Sequence, residues 1–245
     1  VGKIKASYLF KRIEEKIPPN LALDNDKIGL TDRTGDCDFE VEKVLVLMDY
    51  LSPGAGDFTD YDSYDLLILH HPPAEKPPLP AYVIHSNWDI VRGGACDALA
   101  DCLNVISEEV LDENTGLGRI GTLKCGPVPL SEFCRDVMEK LGINFIRTVN
   151  YRGDVMIERI SLVSGFGLKN PGLIEKAQQK GADLFLSGDL VHSCAVAAKN
   201  SGFVLLDASH YATELPGLYK LGRVIEGLGV KANVIDTKIP WTVIH

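Results

Sequence analysis

The chain has 245 residues, 45% hydrophobic and 24% charged, a globular mixture that suits one large α/β domain or two small ones. Its formal net charge of −9 argues against a broadly basic face for nucleic acid or acidic lipid, although assembly could concentrate a local basic patch. No apolar run reaches the length of a membrane span and no secretory leader opens the chain, so a cytoplasmic protein with no membrane partner is expected.

Residues 3–17 mix Lys and Glu with Ile4, Leu9, Phe10, Ile13 and Ile17, roughly on one face, which predicts a surface helix stopped by Pro18-Pro19. Residues 43–48 (KVLVLM) and 65–69 (DLLIL) are near-continuous apolar runs of the kind a buried strand makes. The second run ends directly in His70-His71-Pro72-Pro73. Residues 81–84 form a short strand before His85, and a helix over 97–103 follows Gly93-Gly94. Gly116–Thr122 (GLGRIGT) reads as the crossing between two halves, which places a first α/β domain at 1–112 with 236–245 and a second at 113–235.

The second half keeps the strand–helix rhythm. A helix spans 131–141 with Ser131 as N-cap and Gly142 as stop. A strand at 160–163 leads into Gly165-Phe166-Gly167, and Asn170-Pro171 starts a helix that ends at Gly181. Then come a strand at 184–186 before Ser187-Gly188-Asp189, a helix at 190–200, and a strand at 203–206 before Asp207-Ala208-Ser209-His210. A helix over about 213–228 and a strand over about 232–235 close the pattern. The alternation predicts parallel or mixed sheets covered by helices. The six cysteines are scattered with no C-x-x-C pair, which argues against a structural zinc site and a disulfide scaffold.

In open α/β sheets ligands gather at the carboxyl edge of the strands. His70 and His71 end one predicted strand, His85 another and His210 a third; Asp89 and Glu214 each follow a strand-end histidine by four residues. Imidazole with carboxylate suits Zn, Fe, Mn, Co or Ni. Each pair alone has a plainer reading. Adjacent histidines in a regular strand face opposite ways, and only a bend before the prolines brings both to one site. His85 with Asp89 could be a helix cap, and His210 with Glu214 a solvated pair on one helix face. Gly165-Phe166-Gly167 could cradle a phosphate, but a plain tight turn explains it as well. No P-loop is present. The conjunction at several strand ends is what favours a metal site.

The ordered set "HHPP" at 70–73, "HSNWD" at 85–89, "SGD" at 187–189 and "SHYATE" at 209–214, with Asp26-Lys27-Ile28-Gly29-Leu30 upstream, resembles the family of GTP cyclohydrolase 1 type 2 homologues. That family is also called YbgI-like or Ngg-one-interacting-factor-three-like. The resemblance implies a two-domain α/β fold with mixed sheets and a dinuclear metal site in the cleft between the domains. It implies two divalent metal ions held by His70, His71, Asp89, His210 and Glu214, with His85 and Asp189 beside them as candidate proton carriers, Asp189 together with His192. It further implies a homohexamer and a nucleotide substrate attacked by a metal-bridging hydroxide. The rival readings are a metal-dependent phosphoesterase and a non-enzymatic scaffold or regulator that binds a protein or nucleic-acid partner. Two departures concern the rim of the cleft: Pro53, Gly54 and Gly56 disfavour the helix usual between 49 and 65, and the link from His71 to His85 is short and proline-rich. Pro72–Pro80 and Ile239–Ile244 are the candidate assembly surfaces.

Overall fold

A computed structural model describes residues 2–31, 38–52, 55 and 60–242. The chain divides into two compact units, 1–91 with 218–245 and 92–217. The loop expectation at Pro53, Gly54 and Gly56, and residues 243–245 of the C-terminal segment, lie outside the described residues.

The first unit is built on a five-stranded sheet. Its order is Lys231–Val234, Lys43–Leu47, Leu66–Leu69, Ala81–Val83 and Gly29–Leu30. The first four strands run parallel and the last is antiparallel. Leu66, Leu67, Ile68 and Leu69 are all buried, which explains the unbroken apolar run: both faces of this strand are covered. The helix Ala6–Lys16 buries Ala6, Leu9 and Ile13. It starts three residues later than the sequence predicts, because Ile4–Lys5 pairs with Glu40–Val41 as a short ladder.

The second unit carries a six-stranded mixed sheet in the order Arg147–Val149, Val204–Asp207, Leu184–Ser187, Arg159–Leu162, Arg119–Leu123, Val105–Val110. Its three central strands are parallel and the outer ones antiparallel. The expected crossing at Gly116–Thr122 is instead the turn and second strand of a hairpin inside this sheet. The glycines there answer a packing demand. Gly118 has φ +74, and a Cβ on Gly121 would lie 1.9 Å from the backbone oxygen of Ile106. The partner strand bulges between Ser107 and Glu109, beside that close approach.

Helix ends follow local chemistry. Asn170 caps Pro171–Gln179, its side chain accepting the amides of Gly172 and Leu173. Gly142 ends Leu130–Leu141 in left-handed backbone, as expected. Ser131 is not the N-cap of that helix. Pro129, already paired with Met156, sets the entry angle, so Ser131 falls in the first turn and its amide donates to Gly153 O. The helix His210–Glu226 begins earlier than predicted, because Asp207 accepts the amide of Ser209 and the Ser209 hydroxyl accepts that of Ala212. The division between the two units falls within this helix, just past Pro216.

Gly121→Ala is expected to lower stability in urea unfolding by about 3 kcal/mol or more, because the new methyl meets backbone. Gly142→Ala, at φ +66 with open space around it, should lose only about 1 kcal/mol. Equal losses in the two variants would show that the hairpin opens around Gly121.

Candidate metal-binding site

In the first unit the sheet ladder runs one step beyond the strand ends. The amide of His70 donates to Leu47 O and that of His71 to Met48 O. The chain bends at His70 and His71, and both rings reach the same cluster: their centroids are 4.8 Å apart at 42°. His85, after the neighbouring strand, completes it at 5.3 Å from His70 and 5.4 Å from His71. One ligand nitrogen of each of the three lies within 4.8 Å of the others. Asp89, buried on the short helix Ser86–Ile90, sets Oδ1 3.8 Å from His70 Nε2.

The other nitrogen of each ring is occupied. His70 Nδ1 donates to the carbonyl of Ile84 at 2.9 Å. His71 Nδ1 meets Asp49 Oδ1 at 2.8 Å, and His85 Nδ1 meets Asp26 Oδ1 at 2.7 Å. A carbonyl or an ionised carboxylate has no proton to give, so Nδ1 carries the hydrogen in all three. That leaves Nε2 as the lone-pair nitrogen whenever the ring is neutral. Asp26 also accepts the amide and hydroxyl of Ser86. Burial alone would raise its carboxyl, but the hydrogen bonds from His85 and Ser86 outweigh burial and hold it at about 2. Asp26 therefore contributes stability above its ordinary 3.8, and the contribution is lost as pH falls through 2.

The second unit repeats the device. His210 and Glu214 share one face of their helix at i, i+4, with Nε2 3.0 Å from Oε1. His210 Nδ1 bonds Asp189 Oδ2 at 2.9 Å. Burial would favour the neutral ring, but Glu214, and then Asp189, outweigh it and push His210 up to about 9. Asp189 stands in left-handed backbone at φ 61 and also receives Lys169 Nζ at 3.5 Å.

Glycines make the room. A Cβ on Gly165 would lie 2.2 Å from Glu214 Oε1 and 3.2 Å from His210 Nε2. A Cβ on Gly188 would lie 2.3 Å from the backbone nitrogen of His210. The amide of Gly165 donates to Thr213 Oγ1 and that of Gly167 to Ser187 Oγ. These amides are thus committed to side chains, which removes the phosphate-cradle reading of Gly165-Phe166-Gly167. "SGD" and the glycine turn form the seat of His210 and Glu214.

Each unit therefore gathers its own share of the expected residues: His70, His71, His85 and Asp89 in one, Asp189, His210 and Glu214 in the other. His192 is exposed at the start of the helix His192–Ser201, and among the described residues no hydrogen bond links it to Asp189. Asp26 and Asp49 were not assigned from sequence. Asp49 follows the 43–48 run just as His70 follows 65–69, so the strand-end rule would have found it. None of the five described cysteines is in a disulfide, and none belongs to either cluster; burial pushes the Cys134 thiol up to about 11.

Imidazoles oriented by oxygen acceptors, next to buried carboxylates at the sheet edges of an α/β chain, define a protein with histidine and glutamate groups able to hold a metal ion. The chain belongs to the Duf34/NIF3 (NGG1p interacting factor 3) family, whose model matches residues 76–240. It is 43% identical over 242 residues to a Methanothermobacter thermautotrophicus protein named GTP cyclohydrolase 1 type 2 homolog, covering 98% of this chain and 96% of that one. Reduced HcgD from Methanocaldococcus jannaschii superposes with a TM-score of 0.79 at 29% identity, over 96% of this chain and 99% of that one. A Bacillus cereus protein related to NIF3 reaches 0.85 at 17% identity, over 98% and 99%, a likeness of fold alone. No helix among the described residues is long and apolar enough to cross a membrane.

In the metal-free protein the His210 ring resonance should titrate near 9, and in Glu214→Gln the midpoint should fall toward 6.5. The raised value means that stability from His210 is complete below 6.5 and lost as pH rises through about 9. A wild-type midpoint at or below 6.5 would contradict the pairing with Glu214.

Proposed function

We propose that this chain is a metal-dependent, hydrolase-like protein that holds two divalent transition-metal ions (Zn, Fe, Mn, Co or Ni) at a dinuclear centre between its two domains. The ligands are His70, His71 and Asp89 from the first unit and His210 and Glu214 from the second. The observation that carries the reading is the fixed Nδ1 of each histidine, which leaves Nε2 to coordinate. The donor set fits: neutral imidazole and carboxylate suit these metals, and two cations offset the buried negative charge of Asp89 and Glu214.

When bound, such ions supply Lewis-acid activation of water toward an electrophilic carbon or phosphorus. The chain's own residues do the rest. Asp49 and Asp189 orient His71 and His210. His85, held by Asp26, presents Nε2 to take or return a proton, and Asp189 is the second candidate for that role. The name carried by the relatives makes GTP the first substrate to test, with simple phosphoesters as the alternative class.

Elemental analysis of protein purified without chelator is expected to give close to two metal ions per chain. Asp89→Ala should lose both metal and any turnover of GTP or phosphoesters. Glu214→Gln should weaken metal binding by roughly tenfold or more while His192→Ala leaves it unchanged. Equal metal retention in Glu214→Gln and His192→Ala would overturn the ligand assignment.

A second reading, a metal-stabilised homo-oligomeric scaffold, is favoured by the C-terminal segment, where Trp241 is 52% and Ile239 38% exposed. On this reading the assembly is a homohexamer. Light scattering should then give six chains, and because salt screens repulsion between acidic subunits, the assembly should persist or tighten at high salt. A monomeric mass at low and high salt would remove the hexamer.

A further inference from the structure

The turn that seats Glu214 also carries a cation, and its placement is built into the fold. Leu168 is buried, and its amide donates to Gly188 O at 3.0 Å. The amide of Lys169 donates to Phe166 O, and that of Asn170 to Gly167 O. A Cβ on Gly167 would lie 2.7 Å from Ser187 Oγ and 2.9 Å from Phe185, so only a glycine lets the turn lie this close to the sheet edge. It is thereby clamped to the residue that precedes Asp189. From there the Lys169 side chain lies over the Phe166 ring, Nζ 5.1 Å from its centroid, and reaches Asp189 Oδ2 at 3.5 Å. That oxygen is the one bonded to His210 Nδ1.

We propose that Lys169 is a positioning residue that tunes how strongly His210 holds a metal, acting through Asp189. This rests on the metal reading above. An unshared carboxylate draws on the Nδ1 proton and makes Nε2 a stronger donor, as outer partners of ligating histidines do. An ammonium on the same oxygen takes part of that charge away, so His210 binds a cation less tightly than Asp189 alone would make it. The seat on Phe166 keeps the ammonium from drifting into solvent. Lys169 thus keeps the second unit's ligand exchangeable. Because the ammonium is half exposed, salt should screen its effect.

The test is chelator competition for zinc on the full-length protein above the His210 midpoint of about 9, where the proton no longer competes for Nε2, and it reads affinity without turnover. Lys169→Met is expected to bind zinc roughly three to ten times more tightly than wild type, a smaller step than loss of a direct outer partner. Lys169→Arg, which keeps the charge, should stay within about twofold, and the gain in Lys169→Met should shrink in 1 M salt. In an Asp189→Asn background the same substitution should change nothing, because the path through the carboxylate is gone. Zinc bound by wild type with unchanged or weaker affinity in Lys169→Met overturns this inference alone. So does a full gain that persists in Asp189→Asn. No zinc on wild type overturns the metal reading and this inference together.

Discussion

A neutral imidazole has one nitrogen that donates and one that accepts, and a protein that uses histidine as a ligand must settle which is which. Here an oxygen that can only accept makes the choice. Ile84 O does it for His70, Asp49 for His71, Asp26 for His85 and Asp189 for His210. The same contact also fixes the plane of the ring. Without it each ring could rotate about χ2 and turn either nitrogen inward, and the lone pairs of His70, His71 and His85 would not converge. The acceptors come from separate parts of the chain, so each unit's group of residues is assembled only when that unit's sheet has formed.

The sheet edges supply the acceptors. Parallel strands end together, and the residues just past their ends must leave the ladder, which frees their side chains to converge. In the first unit three adjacent strands place Asp49, His70 with His71, and His85 side by side at one edge. In the second, Ser187-Gly188-Asp189 and Asp207-Ala208-Ser209 leave adjacent parallel strands, and Gly188 lets the first lie against the backbone of His210. The helix His210–Glu226 then carries His210 and Glu214 on one face. A side chain at Gly165 would displace the Glu214 carboxylate, so backbone and carboxylate are matched at that point.

The strands and their terminal histidines were legible in the sequence because a strand covered on both faces must be apolar throughout, and its end shows as an abrupt change to polar residues. Lys43–Leu47, Leu66–Leu69 and Leu184–Ser187 were found that way. The strand Val105–Val110 was not, since Ser107, Glu108 and Glu109 are outward or ion-paired at a sheet edge and leave no apolar run. The glycines of 116–122 misled for a related reason: a linker and a close-packed hairpin both call for glycine, and only the distance from Gly121 to Ile106 separates them. Asp26 ends no apolar run, and Asp49, which does end one, carries nothing that marks it as the partner of a histidine. Their role is defined by the ring each one meets, 59 and 22 residues away along the chain.

Charge balance joins the two units' chemistry to acidity. Asp189 and Glu214 face one ring, and without a metal ion they draw a proton onto it, with Lys169 supplying a second positive charge. The proton sits between Nε2 and Glu214, where a coordinated cation would have to stand. On the proposed reading, metal and proton therefore compete for the same lone pair, and the carboxylates that make the metal-free ring basic are those that make it a good ligand. His85 differs in kind. Its partner Asp26 is held far into its ionised form by the ring and by the amide and hydroxyl of Ser86, so the ring is one of several donors to that carboxylate. On the proposed reading, His85 would pass protons at Nε2 in one unit and His210 would exchange a proton for a metal in the other.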